Sequence, residues 1–65
     1  MLCPRCEQGD VIKAKITKTG KDIFVCVECE ATWFSFDKIA CSPFVDFGSY
    51  METIGLSRLW DELSR

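Results

Sequence analysis

Residues 26–34 read CVECEATWF, and near the start of the chain residues 3–6 read CPRC. Cys3 and Cys6 are separated by two residues, Cys26 and Cys29 likewise, and nineteen residues lie between the pairs, giving C-x2-C-x19-C-x2-C. That spacing falls in the range that marks a four-cysteine metal site. Two residues between ligands let a tight turn aim both sulfurs at one point, and a hairpin between the pairs brings the second turn opposite the first. Four thiolates then complete a tetrahedron about 2.3 Å from an ion. Pro4 fixes φ directly after the first ligand and helps hold its turn. Two disulfides would use the same cysteines, and iron accepts the same thiolates as zinc. The expectation is one structural Zn²⁺ held by Cys3, Cys6, Cys26 and Cys29. Four protein ligands leave no position for water or substrate. A thioredoxin-like redox role for either pair would ask for a βαβ pattern, which the chain lacks.

Size explains why such a staple is needed. A chain of 65 residues makes one domain, and at that length only about 60% of the unfolded surface is buried on folding. The N-terminal MLCPRCEQGD shows no basic stretch followed by an apolar run, and no apolar stretch is long enough to cross a bilayer, so a cytoplasmic chain is expected. Cys41 has no partner at metal-site spacing and is expected to be a partly buried free thiol.

Outward from the cysteines the pattern is that of a sheet. In DVIKAKITK (10–18), Ile12, Ala14 and Ile16 alternate with Lys13, Lys15 and Thr17, which predicts a half-buried strand. KTGK (18–21) supplies a glycine for the turn, and KDIFVC (21–26) returns as the second strand. ATWFSFDKIA (31–40) predicts a third antiparallel strand, with Phe34 and Phe36 on one face opposite Trp33, Ser35 and Asp37. Beyond Ser42 and Pro43 the pattern changes. DFGSYMETIG (46–55) fits a short helix or a structured loop, with Ser49 as N-cap and Gly55 as terminator. In GLSRLWDELSR (55–65), Leu56, Leu59, Trp60 and Leu63 recur at helical spacing, predicting a helix from Arg58 to Ser64 capped by Ser57. So short a helix must dock on something, and the sheet is the candidate. The expected fold is thus a small metal-stabilised α+β domain over residues 1–65. Residues 1–40 form its metal-bound, three-stranded antiparallel part, and residues 41–65 a helical extension packed on the sheet.

The paired knuckles CPRC and CVEC, joined by a β-hairpin and followed by Trp33, resemble the zinc-ribbon group over roughly residues 1–39. The resemblance implies the ribbon fold and Cys3, Cys6, Cys26 and Cys29 as zinc ligands. It implies no single function, since zinc ribbons occur in transcription factors, ribosomal proteins, enzyme appendages and small interaction proteins. The group commonly has glycine after the first knuckle where this chain has Glu7, with Gly9 nearby. Transcript-cleavage ribbons carry acidic residues at the hairpin tip, whereas the tip here, KTGK, has none.

The formal charge of −2 hides two poles. Residues 5–21 carry five cations against two carboxylates, while residues 22–65 carry three against eight. Loading zinc on four thiolates would bring the total to about −4, which opposes general affinity for nucleic acid. With no histidine, committed thiolates and no phosphate-cradling glycine loop, the chain is not expected to be an enzyme.

Two surfaces remain. Seven of the eight aromatics lie between Trp33 and Trp60, in the half that also holds Asp46, Glu52, Asp61 and Glu62. Phe34, Phe36, Tyr50 and Trp60 would fill the space between sheet and helix. Asp46, Phe47, Tyr50, Glu52, Trp60, Asp61 and Glu62 are the candidate partner-binding residues, suited to a basic protein. One concrete version is an immunity or inhibitor protein that neutralises a basic toxin such as a nuclease. The second reading is nucleic-acid binding in transcription or translation through Arg5, Lys13, Lys15, Lys18 and Lys21, whose bland alternative is a solvated hairpin face. Self-association through the aromatic face is a third.

Overall fold

The computed structural model describes residues 1–64. Its frame is the hairpin of β1 (Val11–Ile16) and β2 (Lys21–Cys26), paired in register from Val11 opposite Cys26 to Ile16 opposite Lys21. The turn closes where the amides of Thr19 and Gly20 donate to the Ile16 carbonyl at 3.2 and 2.7 Å. Gly20 sits at φ 75°, a left-handed conformation that glycine adopts without steric cost. β3 (Ala31–Trp33) pairs antiparallel with β2, and two-residue edge strands complete the sheet: β4 (Val45–Asp46) beside β3, and β5 (Leu63–Ser64) beside β1. The order is β4-β3-β2-β1-β5, five strands among the described residues rather than the three expected. Such short edges offer little template for pairing with other chains.

Alternation along the strands sends side chains to opposite faces, and each face has its own core. On one, Ala14, Ile16, Ile23 and Val25 pack with Phe47 and Met51 of α1 (Phe47–Thr53), joined by half-buried Ile12, Tyr50, Ile54, Leu56, Trp60 and Leu63. Phe47 and Met51 are fully buried, and removing either side chain from water stabilises by about 1.5–3 kcal/mol. On the other face Val11, Ala31 and Trp33 pack with Cys3 and Cys26, and Phe24 and Ile39 lie against them. No helix among the described residues is long and apolar enough to cross a membrane.

Three sequence expectations need correction. The third strand ends at Trp33, and a 3-10 turn follows at Phe36–Lys38. In a strand Phe34 and Phe36 would share a face. Here the Phe34 ring lies 5.0 Å from Tyr50, on the α1 side, and the Phe36 ring 6.1 Å from Phe24, on the other side, leaving Phe36 67% exposed.

Residues 46–55 do form the helix α1, but its cap is Asp46, whose carboxylate accepts from the Ser49 amide at 3.0 Å. Ser49 itself lies inside the helix.

The predicted helix from Arg58 to Ser64 is absent. A 3-10 turn at Trp60–Glu62 leads into β5, and Leu59 is 59% exposed. Ser57 spends its hydroxyl locally, accepting from the Leu59 amide two residues on. The open edge of β1 wins this segment: Leu63 pairs opposite Ile16, and the Thr17 amide and hydroxyl both donate to the Glu62 carbonyl, at 3.0 and 3.1 Å. An isolated helix of seven residues is marginal in water and offers nothing to match. Arg65, the end of the expected extension, lies outside the described residues.

Candidate functional site

Each cysteine pair occupies a tight turn, and the two turns share two bonds, the second adding one from the Cys29 amide to the Cys26 sulfur at 3.5 Å. In the first, the Glu7 amide donates to the Cys3 carbonyl at 2.9 Å and the Arg5 amide to the Cys3 sulfur at 3.4 Å. In the second, the Glu30 amide donates to the Cys26 carbonyl at 3.1 Å and the Glu28 amide to the Cys26 sulfur at 3.4 Å. The residue after each second cysteine is left-handed, Glu7 at φ 57° and Glu30 at φ 63°. A non-glycine residue there costs about 1–2 kcal/mol, so something must hold both turns against it. Glycine serves elsewhere: a Cβ on Gly9 would stand 2.5 Å from Glu28 Cγ and 3.0 Å from the Glu28 amide nitrogen. The bare backbone at Gly9 lets the first knuckle close on the second.

The hairpin brings all four sulfurs within 4.8 Å of one another. Cys3 Sγ lies 3.8 Å from Cys29 Sγ, and Cys6 Sγ 3.6 Å from Cys26 Sγ. A tetrahedron of thiolates at about 2.3 Å from an ion has edges of about 3.8 Å, so these separations suit one shared metal. They are far longer than a disulfide bond of about 2.05 Å, and all five cysteines are free. The donor chemistry agrees. The backbone amides of Gln8 and Gly9 favour the Cys6 thiolate and lower its pKa from 9.0 to about 6, whereas burial pushes Cys26 up to about 11. Four sulfurs this close resist ionising together, and a bound cation is what makes four thiolates compatible. Cys41 stands apart and is exposed, not partly buried as expected.

The candidate partner-binding residues have differing surroundings. Phe47 is fully buried and belongs to the core, a correction to its expected place on the surface. Asp46 caps α1 and lies 4.0 Å from Arg58, which also meets Glu52 at 3.4 Å. Tyr50 is half-buried against Phe34. Trp60 is half-buried, its ring 5.5 Å from Phe47 and its indole N–H donating to Glu30 at 3.1 Å. Asp61 is exposed and Glu62 half-buried in the last turn.

Of the basic candidates, Lys13 and Lys15 line one shallow pocket. Lys13 and Lys18 are exposed, and Lys15 meets Asp22 at 3.5 Å. Two of them keep unexpected company: the Arg5 guanidinium sits 4.4 Å over the Phe44 ring and the Lys21 ammonium 5.0 Å over Phe34. Sequence reasoning missed these pairs because their members lie far apart along the chain, where neither spacing nor alternation carries a signal. It also passed over Arg58 as the cation that engages two of the candidate carboxylates. No protein-family model, curated protein or solved structure matches the chain.

Proposed function

We propose that the chain is a zinc ribbon that acts as a non-enzymatic protein-binding module. Zinc suits a closed tetrahedron of thiolates that offers no open position and calls for no redox partner. The observation that carries the binding role is the separation of labour. A closed four-sulfur site would have a holding task only, while exposed Phe34, Phe36, Phe44 and Val45 lie outside both cores' buried sets. Exposed aromatic side chains concentrated on a small body mark interaction surfaces. A narrower version is an immunity protein that covers a basic toxin such as a nuclease. With Asp46 and Glu52 engaged by Arg58, that version draws chiefly on Asp61 and Glu62. Charge reversal at these two should then abolish toxin neutralisation.

The cation–aromatic pairs favour a second reading, nucleic-acid binding, because single-strand sites combine positive charge with stacking rings. Native mass spectrometry separates the two, using protein purified gently from its own cells at low salt without chelator. One zinc with a retained protein supports the first reading. Iron in the centre would overturn the metal assignment, and retained RNA alone would replace the first reading with the second.

A further inference from the structure

A cleft of about 370 Å³ opens between the end of β3 and β4, its walls including Trp33, Phe34, Lys38, Pro43, Phe44 and Val45. The walls are almost wholly apolar, and the one charged residue among them, Lys38, is positive. Arg5 lies over the Phe44 ring and Lys21 over the Phe34 ring. A chain of net charge −2 therefore presents its apolar cleft within a cationic frame. Of the carboxylates adjacent in sequence, Asp37 is exposed on the 3-10 turn, and Asp46 is engaged at the start of α1.

We propose that this cleft binds an extended segment of a partner protein in which an apolar side chain is flanked by carboxylates. The proposal rests on the protein-binding reading and gives that partner an acidic contact segment. The apolar walls accept the central side chain. Arg5 and Lys21 are already held over aromatic rings, so they lose little freedom on meeting a carboxylate. Nucleic acid suits the cleft less well. A polyanion with a charge at every nucleotide meets the net negative chain, whereas a peptide needs only a few carboxylates.

The test is fluorescence anisotropy on the full, zinc-loaded chain with four short labelled probes. These are a peptide with one leucine between aspartates and glutamates, the same peptide with serine for leucine, the same with lysines for the acids, and oligothymidylate. The acidic leucine peptide should bind in a saturable, salt-sensitive manner, and the other three should not. Lys38→Glu and Phe44→Ser should each weaken it about tenfold while metal content stays unchanged, which separates lost binding from lost folding. Tighter binding of the lysine peptide would overturn the acidic segment and leave the protein-binding reading standing. Binding of oligothymidylate alone would overturn both. If no probe binds, the proposal falls, and the protein-binding reading still answers to the partner retained in native mass spectrometry.

Discussion

The Trp60 indole nitrogen donates to a Glu30 carboxylate oxygen at 3.1 Å, and so the last turn of the chain is tied to the residue that follows Cys29. Glu30 is a junction in other ways. Its amide closes the second knuckle on Cys26, and its carbonyl accepts the Phe47 amide at 2.9 Å, where α1 begins. The second cysteine knuckle thereby positions both the helix and the C-terminal turn that cover the opposite face of the sheet.

Trp60→Phe keeps a ring against Phe47 and removes the donor to Glu30. A hydrogen bond to a charged group contributes about 1.5–3 kcal/mol, and partial exposure of both partners places the expected loss at the lower end of that range. Urea denaturation of the metal-loaded protein measures it. A loss indistinguishable from zero would show that the bond contributes nothing to the tail's position.

Metal removal should unfold residues 1–39 and, through Glu30, release the tail. Structural zinc contributes on the order of 10 kcal/mol or more in small finger peptides, comparable with the whole stability of a domain. Circular dichroism and hydrogen exchange after verified chelation check this. A cooperative melt unchanged from the loaded protein would refute it.

The left-handed pair gives opposite expectations for one substitution. Glu7 is exposed, so Glu7→Gly relieves backbone strain of about 1–2 kcal/mol and gives back part of it as unfolded-chain entropy, a net gain of about 0.5 kcal/mol. Glu30→Gly also removes the acceptor of Trp60 and should destabilise. Gly9→Ala forces a Cβ into Glu28 and should cost about 1–3 kcal/mol. Chemical denaturation midpoints of the three variants order them, and a Glu30→Gly variant as stable as Glu7→Gly would contradict the junction.

Acid should release the metal. The bound centre holds thiolates, whereas the unfolded chain binds protons on free thiols below about pH 8.5. The unfolded state therefore carries more protons, and stability rises with pH and falls as pH drops. Without a cation, burial holds Cys26 protonated up to about pH 11, so its proton must leave on loading at neutral pH. The backbone amides of Gln8 and Gly9 that lower Cys6 to about 6 favour its thiolate over that of Cys26 as the medium acidifies. Apparent affinity should fall about tenfold per pH unit for each proton displaced. Competition with a zinc indicator between pH 8 and 6 reads this slope, and a flat profile would exclude thiolate ligation.

The four clustered cysteines and the hairpin joining them were legible in the sequence because both are local patterns. A C-x2-C turn needs only its own residues, and the alternation of Ile12, Ala14 and Ile16 with lysines selects a sheet face within one strand. The spacing of Leu56, Leu59, Trp60 and Leu63 was equally regular yet misleading. Its helix lost to a pairing partner, the free edge of β1, that exists only once the sheet has formed. The same holds for Phe34 and Phe36, whose alternation ends in rings on opposite faces.

By itself, then, the sequence determined the cysteine cluster and the hairpin that closes it, because cysteine spacing and strand alternation act through neighbours alone. Only the tertiary structure decided the edge strands, the bond between Trp60 and Glu30, and the cations over Phe34 and Phe44. Each of these joins residues distant in the chain, and their energies appear only after the backbone has closed around the four sulfurs.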